Sequence, residues 1–154
     1  MENIDVIIRI VVSIVLCGLI GAERKIYHKP AGFRTNVLVG LGSTLLMILG
    51  INIFTEFNDG NTVDLTRLAG QIVTGIGFLG AGAIIQSRGS VHGLTTAATI
   101  WVVAAIGMAV GLGFYFEAVA VTISTLIVLV ILGRFEHKIE EVVKHSSDNK
   151  DKLI

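Results

Sequence analysis

The chain has 154 residues, of which 53% are hydrophobic and 16% are charged, with a mean hydropathy of +0.79. Because a soluble domain carries about 25% charged residues, this composition excludes an ordinary soluble enzyme and predicts one polytopic membrane domain. The formal net charge is zero, and the single cysteine, Cys17, excludes an internal disulfide and is expected to be a small buried hydrophobe.

Five segments are apolar and long enough to cross a bilayer as helices. They are predicted at residues 4–22, 34–54, 68–85, 94–111 and 115–132. The sequence therefore predicts an all-α membrane helix bundle of about five transmembrane helices, in a domain at residues 1–134. Residues 135–154 are predicted to form an amphipathic cytoplasmic tail. The N-terminal MENID lacks the basic region of a cleaved signal peptide.

The first segment carries two charges near its start. Asp5 and Arg9 are four residues apart, which places them one turn apart on a helix and favours an ion pair at the membrane surface over a transport site. The segment leads into a basic connection in which Pro30, the only proline, marks the turn.

The third segment contains Gly75, Gly77, Gly80 and Gly82. Gly75 and Gly82 fall on one helical face and Gly77 and Gly80 on roughly the opposite face, which predicts a central helix packed on both sides. Trp101, in the next segment, is expected to pack against these faces. Residues 75–80 also spell G-x-G-x-x-G, but no acid follows about 20 residues on and the flanks are helical, so we attribute the pattern to helix packing and not to nucleotide binding.

The ends of two predicted hairpins share a pattern. The first hairpin has G-x-x-G-A at 18–22 and, after a loop, G-[FL]-x-T at 32–35. The second hairpin has the same two motifs at 77–81 and 93–96. The pattern suggests a parallel repeat of helices 1–2 and 3–4, with chance similarity in a glycine-rich chain as the alternative. Thr35 or Asn36, and Thr95 or Thr96, would then cap or line two helix N-termini.

The basic residues predict the orientation, because cytoplasmic loops are enriched in Lys and Arg. Four basic residues lie between the first two segments, Arg88 lies between the third and fourth, and the tail is basic as well. With five segments all of these fall on one side, which places the N-terminus outside and the C-terminus in the cytoplasm.

Polar residues within or beside apolar segments are the candidate functional groups. Glu23 and Arg34 flank the basic connection, and we weigh a salt bridge that fixes the hairpin against a cation or proton site with Glu23 as the acid. Gln71 and Thr74 can hold a neighbouring helix or line a polar path. The full set of polar candidates is Glu23, Arg24, Arg34, Thr35, Asn36, Gln71, Thr74, Thr95 and Thr96.

The sequence indicates no catalytic residues, no cofactor and no nucleic-acid partner. It has no H-E-x-x-H, no P-loop and no His/Cys cluster, so a non-enzymatic protein is expected. Glu23 alone is a weak candidate for a metal ligand, because Mg²⁺ prefers several carboxylates and retained waters.

The chain resembles the membrane domain of the MgtC/SapB family. The resemblance rests on GAER at 21–24, AGFRTN at 31–36, RLAGQIVTGIGFLGAGAII at 67–85 and GLTTAATIW at 93–101, in matching order and spacing. It covers roughly residues 4–134. Some members carry a soluble C-terminal domain, and this chain is expected to lack one.

The resemblance implies a bacterial inner-membrane protein linked to growth at low magnesium and, in some members, to virulence. It also implies a regulatory contact with the ATP synthase, while direct magnesium transport by the family is in doubt. Two hypotheses follow: a non-enzymatic regulator of membrane homeostasis, and a small Mg²⁺, K⁺ or H⁺ transporter or channel that uses Glu23. We also expect a homo-oligomer in the lipid bilayer, because five short helices bury little surface.

Overall fold

A computed structural model describes residues 2–56, 64–87 and 89–133. Its helices are α1 (Asn3–Ile26), α2 (Phe33–Glu56), α3 (Leu65–Gly82), α4 (Leu94–Leu112) and α5 (Tyr115–Ile127), and a π-helical segment (Val128–Leu132) continues α5. The predicted tail, the loop at 57–63 and Arg88 lie outside the described residues. The prediction of an all-α membrane helix bundle is confirmed.

Four of these helices are long and apolar enough to cross a membrane: α1, α2, α4, and α5 together with its π-helical extension. The helix α3 has 18 residues but carries Arg67, Gln71 and several glycines, which lower its hydropathy. A fifth membrane crossing by α3 therefore stays a prediction, although the helix lies where the sequence placed it.

The connection between α3 and α4 was predicted as a loop and is a small β-hairpin. Strands β1 (Ile85–Ser87) and β2 (Ser90–His92) pair antiparallel, with Ile85 opposite His92. Gly89 in the turn has φ +85°, a conformation that glycine adopts without a steric penalty. Only three residues form each strand, and this is too short for the alternation of side chains to stand out in the sequence.

The central helix is α4 and not α3, which corrects the prediction. The helix α4 packs against α1, α2, α3 and α5. Its Gly107 and Gly111 lie against α2. If Gly111 were replaced by a residue with a side chain, the added Cβ atom would lie only 2.7 Å from the Thr44 carbonyl oxygen. Small residues on α4 therefore let the backbones of two helices come close together.

Within the part of the chain that the structure describes, the glycine faces of α3 are mostly open. A Cβ added at Gly75, Gly77 or Gly82 would meet no described residue within 4 Å, whereas one at Gly80 would lie 3.7 Å from Ala97 of α4. Trp101 is half exposed and does not reach these open glycine positions, contrary to expectation. The sequence pattern identified faces suited to close approach, but it did not specify whether a helix of the same chain covers them.

A polar contact joins the three best-packed helices. The Thr44 hydroxyl on α2 lies 2.9 Å from the Ser13 hydroxyl on α1 and 2.8 Å from the Gly107 carbonyl on α4. Cys17 is fully buried beside it, as predicted. Buried hydroxyl groups need such partners, since an unpaired polar group in an apolar interior is costly.

The two hairpins of the suggested repeat make corresponding contacts. A Cβ on Gly21 would lie 3.1 Å from the Cβ of Asn36, and a Cβ on Gly80 would lie 3.7 Å from the Cβ of Ala97. Asn36 and Ala97 both donate their backbone N–H to a glycine carbonyl four residues earlier. These contacts agree with the pattern in the sequence, and the repeat itself stays a prediction.

Candidate functional site

A cavity of about 540 Å³ opens where α1 and the π-helical segment end and α4 begins. We call it the terminal cavity. Its polar lining comes from Glu23, Arg24, Tyr27, Lys29, His92, Thr95 and Thr96, and its apolar lining comes mainly from residues 128–132. The cavity therefore brings together four of the predicted candidates: Glu23, Arg24, Thr95 and Thr96.

Arg24 is the most deeply buried charge of the terminal cavity, with 3% of its surface exposed. Its Nη2 donates to the Thr96 hydroxyl at 2.6 Å and to the Pro30 carbonyl at 3.3 Å. The guanidinium group therefore ties the end of α1 to the start of α4 and to the connection between α1 and α2. Its Nε is buried and has no hydrogen-bond partner in the part of the chain that the structure describes.

Glu23 lies next to it and is 8% exposed. Its Oε2 is buried and accepts no hydrogen bond from any described residue. The salt bridge between Glu23 and Arg34, which the sequence suggested as one alternative, is not formed. Arg34 lies at the second position of α2 and is exposed. The sequence placed both residues beside the same turn, but only the packing of α1 on α4 shows that Arg24 and not Arg34 is the buried cation.

The turn between α1 and α2 has an unusual backbone. His28 and Ala31 have φ of +53° and +52°, values that cost a non-glycine residue on the order of 1–2 kcal/mol. The Asn36 amide donates to the carbonyls of Ala31 (2.5 Å) and Gly32 (2.9 Å) and holds the turn in place. Asn36 was predicted to cap or line a helix N-terminus, and its NH₂ group instead binds carbonyl groups that precede the helix.

The threonines were predicted to cap or line the two helix N-termini, and Thr95 and Thr96 do line the terminal cavity at the start of α4. The helix α4 starts after Gly93, with φ +91°, and has no side-chain cap. Thr35 is exposed and lines a second, mainly apolar cavity of about 520 Å³ together with Phe78 and Leu79 of α3. Thr96 lines both cavities.

Gln71 and Thr74 lie on an exposed face of α3, away from the terminal cavity. Thr74 donates to the carbonyl of Gly70 at 2.9 Å, and Thr99 of α4 donates to that of Thr95 at 2.7 Å. Bonds of this kind satisfy a hydroxyl group within its own helix. A role for Gln71 in holding a neighbouring helix stays a prediction.

The opposite end of the bundle contains the predicted pair of Asp5 and Arg9. Their side chains form an ion pair at 3.0 Å, which confirms the predicted pairing, and its position at the membrane surface stays a prediction. Arg9 also donates to the carbonyl of Gly111 near the C-terminus of α4, where a positive charge is favourable. The pair therefore has a structural role that the spacing alone did not reveal.

A bound metal has little support from the side chains of the terminal cavity. Within residues 2–56, 64–87 and 89–133, no three His, Cys, Asp or Glu residues form a group that could hold a metal ion. Glu23 shares the cavity with Arg24 and Lys29, whose positive charges oppose a divalent cation. Magnesium would require further oxygen ligands.

Comparison with known proteins decides the family. The sequence pattern that defines the MgtC family matches residues 10–138, which are most of the chain. The chain belongs to the MgtC family. Membership confirms the resemblance found in the sequence and agrees with the membrane helices of the structure. No solved structure matches the chain.

Three relatives illustrate the similarity. YhiD of Escherichia coli K12, which is provisionally named a magnesium transporter, is 42% identical over 137 residues, which are 88% of this chain and 64% of YhiD. MgtC of Brucella abortus is 42% identical over 78% of this chain and 48% of its own length. SapB of Bacillus subtilis is 34% identical over 97% of this chain and 69% of its own. The chain thus spans less than two thirds of the first of these family members.

Proposed function

We propose that the protein is a non-enzymatic component of the bacterial inner membrane that acts in magnesium-linked homeostasis and does not itself carry ions. Membership of the MgtC family and the magnesium-related name of YhiD support the link to magnesium. The proposal includes contact with another membrane protein, such as the ATP synthase. A role in virulence belongs to the same proposal as an expectation from the family.

The close packing in the centre of the bundle is the observation that carries this proposal. Gly107 of α4 approaches Gly40 of α2 so closely that a Cβ on it would lie 3.0 Å from the Gly40 Cα. Ile20, Val103 and Ile106 close the space between α1 and α4, each with at most 1% of its surface exposed. An ion crossing a bilayer requires a continuous series of polar groups along its path. The apolar residues interrupt such a series, and the buried hydroxyl groups of Ser13 and Thr44 are already bonded within the bundle.

The open faces of α3 support assembly with a second copy. Gly75, Gly77 and Gly82 present small surfaces on which an added Cβ would meet no other described residue within 4 Å. Small residues are enriched where membrane helices meet. The homo-oligomer is therefore part of the proposal, with α3 as the helix at the contact.

A small cation transporter is the second candidate, and Glu23 favours it. A buried carboxylate with a free oxygen beside a cavity is a group that could bind a cation or a proton. The transporter hypothesis requires that a path open through the packed centre during a transport cycle.

Ion flux in proteoliposomes tests both candidates. We would measure Mg²⁺, K⁺ and H⁺ flux for the natural chain and for Glu23→Gln, with Glu117→Gln as the matched control, because Glu117 is exposed at the opposite end. We expect no flux above that of protein-free vesicles. Flux that is present in the natural chain and in Glu117→Gln but absent in Glu23→Gln would establish the transporter. It would overturn the proposal that the protein does not itself carry ions.

Growth in limiting magnesium tests the magnesium link separately. We expect the natural chain to restore growth to a strain that lacks its own MgtC-family genes, without a change in its rate of magnesium uptake. Failure to restore growth, with the protein present in the membrane, would contradict a role in magnesium homeostasis.

A further inference from the structure

The terminal cavity has two chemically different walls. Glu23, Arg24 and Lys29 form a charged wall, with His92 beside them. The other wall is the π-helical segment, whose Val128 and Leu132 are about half exposed on the outside of the bundle. The cavity lies at the ends of helices that are able to cross a membrane, so its apolar wall continues onto a surface that faces lipid chains.

The charged wall contains both signs, and two of its polar atoms lack partners. Glu23 Oε2 and Arg24 Nε are buried, and neither has a hydrogen-bond partner among the described residues. Buried charged groups are normally paired or hydrogen-bonded, because their desolvation is expensive. The free oxygen requires a donor, and the free N–H requires an acceptor.

A ligand with a single charge does not satisfy this wall. A simple anion would pair with Lys29 and Arg24 but would be repelled by the carboxylate of Glu23. A metal cation would pair with Glu23 but would be repelled by Lys29 and Arg24. A ligand that carries a primary ammonium group and a phosphate a short distance apart satisfies both, since an ammonium donates to a carboxylate and a phosphate accepts from Lys and Arg.

The π-helical segment gives an independent reason to expect a ligand here. A π-helical turn is rare and is found often at functional sites, because the widened turn displaces side chains from their α-helical positions. In this protein the π-helical segment spans Val128–Leu132 and provides most of the apolar wall. The irregular backbone and the unpaired charges thus occur at the same cavity.

We propose that the terminal cavity binds the headgroup of phosphatidylethanolamine, a phospholipid of the membrane itself. Its ammonium group donates to Glu23, its phosphate accepts from Lys29 and Arg24, and its acyl chains lie along Val128, Leu129 and Leu132. The apolar wall favours a lipid over a soluble zwitterion, because only a lipid places a headgroup in the cavity and chains on the adjoining surface.

Native mass spectrometry of the purified full chain tests this assignment. The protein is titrated with phosphatidylethanolamine, phosphatidylcholine and phosphatidylglycerol of identical acyl chains. We expect phosphatidylethanolamine to bind about tenfold more tightly than the other two, since one charge-assisted hydrogen bond accounts for roughly that factor. The trimethylammonium group of phosphatidylcholine has no N–H to donate, and phosphatidylglycerol has no ammonium group.

Two variants locate the site. Glu23→Gln should reduce the preference for phosphatidylethanolamine over phosphatidylcholine to near unity, whereas Glu117→Gln should leave it unchanged. Lys29→Gln should weaken the binding of phosphatidylethanolamine and of phosphatidylcholine by the same factor, because both lipids carry the phosphate. Lys29 is exposed in a turn, so its replacement tests the site even if Glu23→Gln fails to fold.

Three results would overturn the proposal. The first is a preference for phosphatidylglycerol, which would make the site a purely anionic one. The second is a preference for phosphatidylethanolamine over phosphatidylcholine that survives Glu23→Gln, together with affinities for both lipids that Lys29→Gln leaves unchanged. The third is displacement of the lipid by soluble glycerophosphoethanolamine at equal concentration, which would identify a free zwitterion as the ligand.

Discussion

At the scale of single residues, the hydrogen bond between Arg24 and Thr96 connects two helices that are far apart in sequence. Thr96→Val keeps the shape of the side chain and removes the acceptor at 2.6 Å. A hydrogen bond to a charged group contributes about 1.5–3 kcal/mol, so we expect the free energy of unfolding to fall by about that amount. Chemical denaturation in detergent measures it.

Thr95→Val is the matched control for this prediction. Thr95 is the preceding residue, is exposed, and its hydroxyl makes no hydrogen bond to the described residues. We expect its replacement to change stability by less than about 0.5 kcal/mol, as is usual for a surface position. Equal effects of the two replacements would contradict a special role for Thr96.

Asp64 provides a prediction about pH. The hydrogen bond from the Thr66 hydroxyl, together with bonds from the backbone N–H groups of Thr66 and Arg67, holds the pKa of Asp64 below its ordinary value. A depressed pKa contributes stability at pH values above the pKa of the unfolded chain, and this contribution is lost as the pH falls through the pKa of the folded protein.

Asp64→Asn keeps an oxygen acceptor for the N-terminus of α3 but does not titrate. We therefore expect the natural chain to be more stable than Asp64→Asn at neutral pH, with the difference decreasing as the pH falls below the pKa of the unfolded chain. Thermal denaturation between neutral pH and about pH 3 checks this, given an ordinary Asp pKa near 3.9. A difference that is independent of pH would contradict the assignment.

At the scale of elements, the glycines of α4 and α3 have opposite environments. Gly107→Ala places a Cβ 3.0 Å from both the Gly40 Cα and the Ser43 Cβ, so α2 must shift. Overpacking of this kind costs typically 1–3 kcal/mol. We expect Gly107→Ala to lower the thermal midpoint of the protein.

Gly75→Ala makes the same chemical change on the open face of α3. An added Cβ meets no described residue there, and alanine is favoured over glycine in a helix by up to about 1 kcal/mol. We expect the monomer in detergent to be unaffected or more stable. A loss of stability equal to that of Gly107→Ala would show that α3 is covered within the chain.

At the scale of the whole molecule, basic residues predominate at one end of the bundle and acidic residues at the other. The end with the terminal cavity has Arg24, Lys25, Lys29 and Arg34 against Glu23, and the opposite end has Asp5, Glu56, Asp64 and Glu117 against Arg9 and Arg67. Because cytoplasmic segments are enriched in basic residues, we predict that the terminal cavity faces the cytoplasm.

Cysteine labelling in intact cells tests this orientation. In a Cys17→Ala background, which removes the only cysteine, Lys25→Cys and Glu117→Cys place one thiol at each end. We expect a membrane-impermeant maleimide to label Glu117→Cys alone and to label both after permeabilisation. Labelling of Lys25→Cys alone in intact cells would reverse the orientation.

The candidate site was only partly predictable. The sequence indicated Glu23, Arg24, Thr95 and Thr96 because polar residues beside apolar segments are uncommon. It did not indicate that Lys29 and His92 share their cavity, or that the salt bridge of Glu23 with Arg34 is absent. Contacts between residues about 70 positions apart, such as Arg24 with Thr96, depend on how α1 packs against α4, and the spacing of residues within each segment does not specify this.

The sequence by itself determined the class of the protein, the positions of the five helices that the structure describes, and the resemblance to its family, because apolar length and local motifs are properties of contiguous residues. The tertiary structure alone decided that α4 is the central helix, since glycine permits a close approach without specifying the neighbour. It also decided that Arg24 is the buried cation of the terminal cavity, since burial of a charge depends on which helices surround it.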